Sequence, residues 1–176
     1  LRREEVDLVG LLVDTVADAR AAGPDHDWQL DLAVLEPPAD ATPQEAEDFL
    51  PEPPLVIGDE ARLRQVVVNL LANARVHTPA GSHVTTTLAR EGDTLIVRIH
   101  DDGPGIAPDV RDRLFERFAR GDSSRERRTG STGLGMSIAL AIVQSHGGSI
   151  DVDSSTAPED HGTTFSVRLP AAVVEE

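Results

Sequence analysis

Residues 59–78 read DEARLRQVVVNLLANARVHT. Leu63, Val66, Val67, Leu70, Leu71 and Ala74 recur at helical spacing, so the segment predicts one long helix with a wide apolar face. Asp59 is placed to cap its start, and Thr78-Pro79 ends it. Asn69 and Asn73 interrupt the apolar run four residues apart, which puts both amides on one side of the helix. A buried amide without a partner costs about 1–3 kcal/mol, so the pair must be satisfied. Either both amides cap backbone groups of a neighbouring loop, or they face a polar ligand or a hydrated metal, for which a neutral amide oxygen is a hard ligand suited to magnesium.

The flanking segments alternate between helix and strand patterns. Residues 5–21 carry Val9, Leu12, Val13 and Val16 at helical spacing, closed by Gly23-Pro24. Trp28, Leu30, Leu32 and Val34 alternate with other residues as in a strand, and 55–57 is a short apolar strand. Residues 83–90 and 94–100 alternate on either side of Gly92-Asp93, a hairpin signature. Helices are expected over 108–118 and 134–146, the second closed by Gly147-Gly148, and two last strands over 149–153 and 163–169. No internal repeat is present. This order predicts an α+β fold, a two-layer sandwich of a mixed, mostly antiparallel sheet with helices on one face.

The chain has 176 residues and 39% hydrophobic residues, enough for one domain with a sizeable core. No apolar run reaches the ~20 residues of a membrane span, and no cysteine is available for disulfide or thiolate chemistry. A net charge of −15 argues against nucleic acid as a partner. The charge is uneven. Residues 36–60 hold eight acids and no base, and within them 36–54 hold six prolines and few apolar anchors, so this stretch is expected to be a mobile, disordered or weakly helical insertion. Residues 111–128 hold seven arginines against four acids, a basic patch fit for a small anion or simply a solvated charged face. The chain begins at Leu1 without methionine, which suggests a piece of something longer, with 1–4 a remnant of an upstream linker and 171–176 a tail.

Two glycine-bearing stretches could carry chemistry. HDDGPGIAP, 100–108, follows a strand and turns sharply, with Asp101 at the mouth of the turn. TGSTGLGMS, 129–137, opens a helix with glycines at 130, 133 and 135, where bare N–H groups and the helix dipole favour an anion. It is neither a Walker loop nor a Rossmann fingerprint. Each alone is a weak signal.

Taken together and in order, Asn-x-x-x-Asn (69, 73), Asp-x-Gly-x-Gly (101–105), Phe-x-x-Phe (115–118), Gly-x-Gly (133–135) and Gly-Thr-x-Phe (162–165) resemble the ATP-binding catalytic domain of a sensor histidine kinase. That domain, of the Bergerat fold, belongs to a superfamily with DNA gyrase, mismatch-repair ATPases and heat-shock chaperone ATPases. The resemblance spans about residues 5–170. It implies ATP and Mg2+ as ligands, with Asn73 on the metal and Asn69 facing the same phosphates and metal. It implies that Asp101 accepts from the adenine amino group, that Gly103, Gly105 and the adjoining Ile106 approach the nucleotide, and that Thr163 or Thr164 closes the adenine pocket. Gly133, Leu134 and Gly135 would offer N–H groups to the phosphates. Residues 119–132 would form an ATP lid, hinged at Phe115 and Phe118, with Phe118 also near the nucleotide. Arg120 would approach the γ-phosphate as a catalytic group. Arg75 is the nearest cation to a position usually basic in the family, here Val76, and His77 stands where an aromatic is common. Asn69 replaces the glutamate by which the ATPase members activate water; an amide cannot take a proton at neutral pH.

The resemblance also implies partners: a dimerisation and phosphoacceptor domain, whose histidine would take the phosphoryl group, and a response regulator beyond it. None of the six histidines here lies in such an acceptor motif. The domain is expected to be cytoplasmic, without membrane contact of its own, in a membrane-anchored parent. A serine kinase of the anti-sigma type and a non-catalytic nucleotide sensor are the alternative readings of the same pocket.

Overall fold

The computed structural model describes residues 1–111 and 133–173. A five-stranded sheet runs in the order β2 (Asp27–Asp31), β4 (His83–Glu91), β5 (Thr94–Asp101), β7 (Gly162–Pro170), β6 (Ser149–Ser155). The β2–β4 pair is parallel and the other three pairs are antiparallel. Strands β1 (Glu4–Asp7) and β3 (Leu55–Gly58) form a separate antiparallel pair. Helices α1 (Leu8–Ala22), α3 (Glu60–His77) and α4 (Gly133–Ser145) bury their apolar stripes in one core with the sheet, and the short α2 (Pro43–Asp48) lies in the acidic insertion. The expected α+β sandwich is what the chain forms.

Helix α3 follows its sequence closely. Asp59 is the N-cap and its carboxylate accepts from Arg62 N at 3.3 Å. The buried residues are the six of the predicted stripe, Leu63, Val66, Val67, Leu70, Leu71 and Ala74. At its end Thr78 donates its hydroxyl to Ala74 O at 2.6 Å. The hairpin β4–β5 turns at Gly92, whose φ of +59° is the left-handed conformation that glycine adopts without a Cβ clash. The chain turns away after helix α4 at Gly147, with φ of +76°.

Three expectations are corrected. Residues 5–21 are not one helix: 4–7 pair with β3, and the helix begins only after Asp7, whose side chain accepts from Val9 N. Its core face is Leu8, Leu11, Leu12, Thr15 and Val16, while Val13 is exposed. Both sets fit a 3.6-residue period, and packing chose the phase; Thr15 enters the core because its hydroxyl donates to Leu11 O at 2.9 Å. The strand read through Val34 ends at Asp31, and 33–35 form a 3-10 turn that still buries Val34. Of the forms expected for 36–54, the structure contains a short helix, opened by a capping box between Thr42 and Glu45. Residues 108–111 are helical as expected, and the rest of 108–118 lies outside the described residues.

The helices are pinned to each other by polar contacts at both ends of α4. Asp59 N donates to His146 Nε2 at 3.0 Å, and a Cβ at Gly58 would sit 2.3 Å from that ring. Asn69 Nδ2 donates to Gly135 O at 3.1 Å. Leu70, the residue after Asn69 on α3, has no exposed surface. Leu70→Ala should therefore lower unfolding free energy by about 2–5 kcal/mol, while Val68→Ala on the outer face should cost less than about 1 kcal/mol. Urea titration followed by circular dichroism checks the contrast; equal losses would mean that α3 is not packed as described.

Candidate nucleotide-binding site

On the helix-facing side of the sheet, one cross-strand row changes character. Val84, Asp101, Thr163 and Ser154 are Cα partners in register across β4, β5, β7 and β6. The next rows inward hold Ile99 opposite Phe165, then Val97 opposite Val167, all buried. The core thus ends in a polar row, and a cavity of about 320 Å³ opens between that row, α3 and α4. This is the lower end of the ~300–1,000 Å³ common for small-molecule sites. Its walls include Asn73 and His77 from α3, Asp101, Gly105 and Ile106 from β5 and the following loop, Met136 from α4, and Thr163 and Phe165 from β7.

Asp101 is 7% exposed. Burial pushes its carboxyl above the usual range, against the opposing effect of the Gly103 N–H, which donates to Oδ1 at 3.0 Å. A buried acceptor held this way favours a ligand that brings a hydrogen-bond donor. The loop after it is fixed from two sides. Gly103 lies so near Thr78 that a Cβ would come within 2.5 Å of the Thr78 methyl. Gly105 has φ of +81°, and a Cβ there would stand 2.0 Å from Ser155 O. From the β6–β7 hairpin, Ser154 Oγ accepts from Ile106 N at 2.7 Å, and His161 Nδ1 donates to Gly103 O at 2.6 Å.

Several residues singled out from sequence converge here. Asn73, His77, Asp101, Gly105, Ile106 and Thr163 line the cavity. Gly103 does not line it; it packs behind, under Thr78, and shapes the turn. Asn69 spends its amide N–H on the Gly135 carbonyl, so of the two roles open to it the described contact is the backbone cap. Among the described residues the Asn73 side chain has no hydrogen-bond partner, which leaves its amide available at the wall. Gly133, Leu134 and Gly135 open the described part of α4.

Two expected contacts lie elsewhere. Arg75 is two residues past Asn73, a rotation of about 200° around the helix, and its Cδ rests near Gly23 on the α1 side. Thr164 alternates to the far face of β7, where its hydroxyl meets His100 Nδ1 at 2.8 Å. Thr163 is the threonine on the cavity. Phe115, Phe118, Arg120 and the segment 119–132 lie outside the described residues. Sequence reasoning missed Pro104, Val110 and Met136 as lining residues, and Ser154 and His161 as supports. Apolar lining residues carry no motif of their own, and Ser154 acts across 48 residues, a distance that only the sheet register closes.

Residues 58–173 match the family described as Histidine kinase-, DNA gyrase B-, and HSP90-like ATPase. The probable sensor histidine kinase TcrY of Mycobacterium tuberculosis is 48% identical over 170 residues, covering 97% of this chain and 31% of that protein. Sensor histidine kinase TrcS of the same organism is 38% identical over 175 residues, covering 97% and 30%. Among solved structures, the mycobacterial sensor histidine kinase MprB superposes with a TM-score of 0.73 at 28% identity, over 98% of this chain and 99% of that one. Full-length ShkA in complex with AMPPNP superposes with a TM-score of 0.72 at 26% identity, over 100% and 32%. The chain spans about a third of the length of the curated relatives TcrY and TrcS. With the motifs, the sheet order and the cavity in agreement, the chain belongs to the histidine kinase-, DNA gyrase B- and HSP90-like ATPase family, as an ATP-binding catalytic domain of the sensor histidine kinase kind.

Proposed function

We propose that this domain holds ATP in the cavity beside Asp101 and presents the γ-phosphoryl group to a histidine on a separate dimerisation and phosphoacceptor domain. From there the group passes to an aspartate of a response regulator, within a parent protein anchored in the membrane. The observation that carries the reading is that Asp101 and Thr163 on the sheet face Asn73 and His77 on α3 across one cavity, with the glycine-rich start of α4 set against Asn69. Adenine fits the end bounded by Asp101, Ile106 and Thr163, its amino group donating to the carboxylate. The triphosphate runs toward Asn73 and the first turn of α4, whose N–H groups and dipole favour an anion.

The residues present fit a magnesium ion bound with the nucleotide. Asn73 offers a neutral oxygen on the cavity wall, and the described residues contain no group of three or more His, Asp or Glu that could hold a metal alone. A site of one protein oxygen completed by phosphates and water is the usual magnesium arrangement, and the ion would supply charge neutralisation on the β- and γ-phosphates. The chain's own part is positioning. Asn69 cannot act as a base and holds α4 in place, so no group activates water at that position. The acceptor histidine's ring nitrogen then supplies the electron pair that forms the N–P bond. The bond from the γ-phosphorus to the bridging oxygen breaks, ADP leaves with its electrons, and the ring proton passes to a carboxylate beside the acceptor.

Asn73→Ala should leave the circular dichroism spectrum unchanged, abolish the magnesium dependence of binding a non-hydrolysable ATP analogue, and slow transfer to an added acceptor domain by about 100-fold or more. Calorimetric titration with and without magnesium reads the first effect and acid-labile phosphoprotein the second; unimpaired transfer would refute the metal role of Asn73.

Asp101→Asn should remove ATP binding without loss of stability. The folded-state carboxyl titrates above its unfolded value, so the ionised form opposes folding at neutral pH, and that opposition fades as pH falls through the folded value. Asn keeps the acceptor for Gly103 N–H. At pH 7 the variant should melt at or above the wild-type temperature, with the difference shrinking as pH is lowered toward 4. A variant that melts several degrees lower at pH 7 would contradict this account.

A further inference from the structure

Behind the cavity wall, Ser154 Oγ has three partners: Ile106 N at 2.7 Å, Gly162 O at 3.0 Å and Thr163 Oγ1 at 2.9 Å. A serine hydroxyl has one hydrogen and two lone pairs. The Ile106 N–H can only donate to it. The Gly162 carbonyl can only accept from it. The serine hydrogen is therefore directed to Gly162 O, and the one bond left for Thr163 is to donate its own hydrogen to Ser154. This is the arrangement in which all three contacts are satisfied at once. Thr163 then presents only lone pairs to the cavity it lines. Its Cα partner across β5 is Asp101, another acceptor, with one oxygen already engaged by Gly103 N.

We propose that Ser154 is a positioning residue for base selectivity: by taking the Thr163 proton it turns that hydroxyl into an acceptor beside Asp101, so that the pocket prefers a purine edge carrying an amino group to one carrying an oxo group. The same hydroxyl holds Ile106, the neighbouring wall, in place. This inference rests on the reading of the cavity as the nucleotide-base pocket. Loss of Ser154 has two separable effects. The Ile106 N–H and the Gly162 carbonyl lose their partner, which weakens any nucleotide. The Thr163 hydroxyl also becomes free to rotate and donate, which helps an oxo-bearing base in particular.

The test is calorimetric titration of wild type, Ser154→Ala and Ser154→Thr with ATP and with inosine triphosphate, in which an oxo group replaces the adenine amino group. Wild type should bind ATP far more tightly than inosine triphosphate. Ser154→Ala should bind ATP about tenfold more weakly, the order expected when buried groups lose a hydrogen-bond partner, and its ATP-to-inosine preference should also fall about tenfold. Ser154→Thr keeps the hydroxyl and should hold the preference within about twofold of wild type. Equal weakening of both nucleotides in Ser154→Ala, with the preference unchanged, would overturn the proposal and leave Ser154 as a loop support only. Should Ser154→Ala fail to fold, Thr163→Val reads the same ratio, and an unchanged preference there overturns the proposal too. A folded wild type that binds neither nucleotide would overturn the pocket reading itself.

Discussion

A helix can turn only one stripe into a core, and the function of α3 depends on what that leaves beside the stripe. Leu63, Val66, Leu70 and Ala74 commit one face to the sheet and to its neighbouring helices. Asn69, Asn73 and His77, one position before or three positions after core residues, are thereby forced to its edge, toward α4 and the open end of the sheet. Packing energy of several kcal/mol per large side chain holds that orientation, so the amides need no further device to aim them. The contacts from Asn69 to Gly135 and from Asp59 to His146 then tie α4 alongside at both its ends, which places its N-terminal N–H groups next to the same edge.

The sheet contributes by a parallel economy. One antiparallel register carries the core outward row by row until apolar pairs give way to Asp101, Thr163 and Ser154. The carboxylate within that last row is desolvated, a cost that folding tolerates because the surrounding rows are well packed. A buried carboxylate kept at a site despite its desolvation is the expected trade between stability and activity. The loop from 102 to 106 is kept from relaxing away by contacts on two sides, Thr78 below Gly103 and the β6–β7 hairpin against Gly105 and Ile106.

Much of this was legible in the sequence, for identifiable reasons. The boundaries of α3 follow from Asp59 and Thr78-Pro79, and its buried face from spacing alone, because six apolar residues in two rows admit one phase. In α1 two phases fit the spacing, and the structure takes the one that leaves Val13 exposed, because Thr15 can join the core by satisfying its own hydroxyl within the helix. Strand β1 carries charge at three of its four positions, and only its pairing with β3 makes it a strand. Among site residues, Asp101, Gly105 and Asn73 were marked by motif, whereas Met136 and Val110 are ordinary apolar residues whose role comes from position.

What the sequence determined by itself is local: helix and strand periods, caps, glycines at forced conformations, and the ordered set of motifs that marks the family. Those depend on residues a few positions apart, where spacing converts directly into direction. Tertiary structure decided which of two adjacent threonines faces the cavity, that Arg75 points away from it, and that Ser154 stands behind Thr163. Each of these is set by strand register or helix packing between segments tens of residues apart, and no local pattern encodes the direction of a proton shared across a sheet.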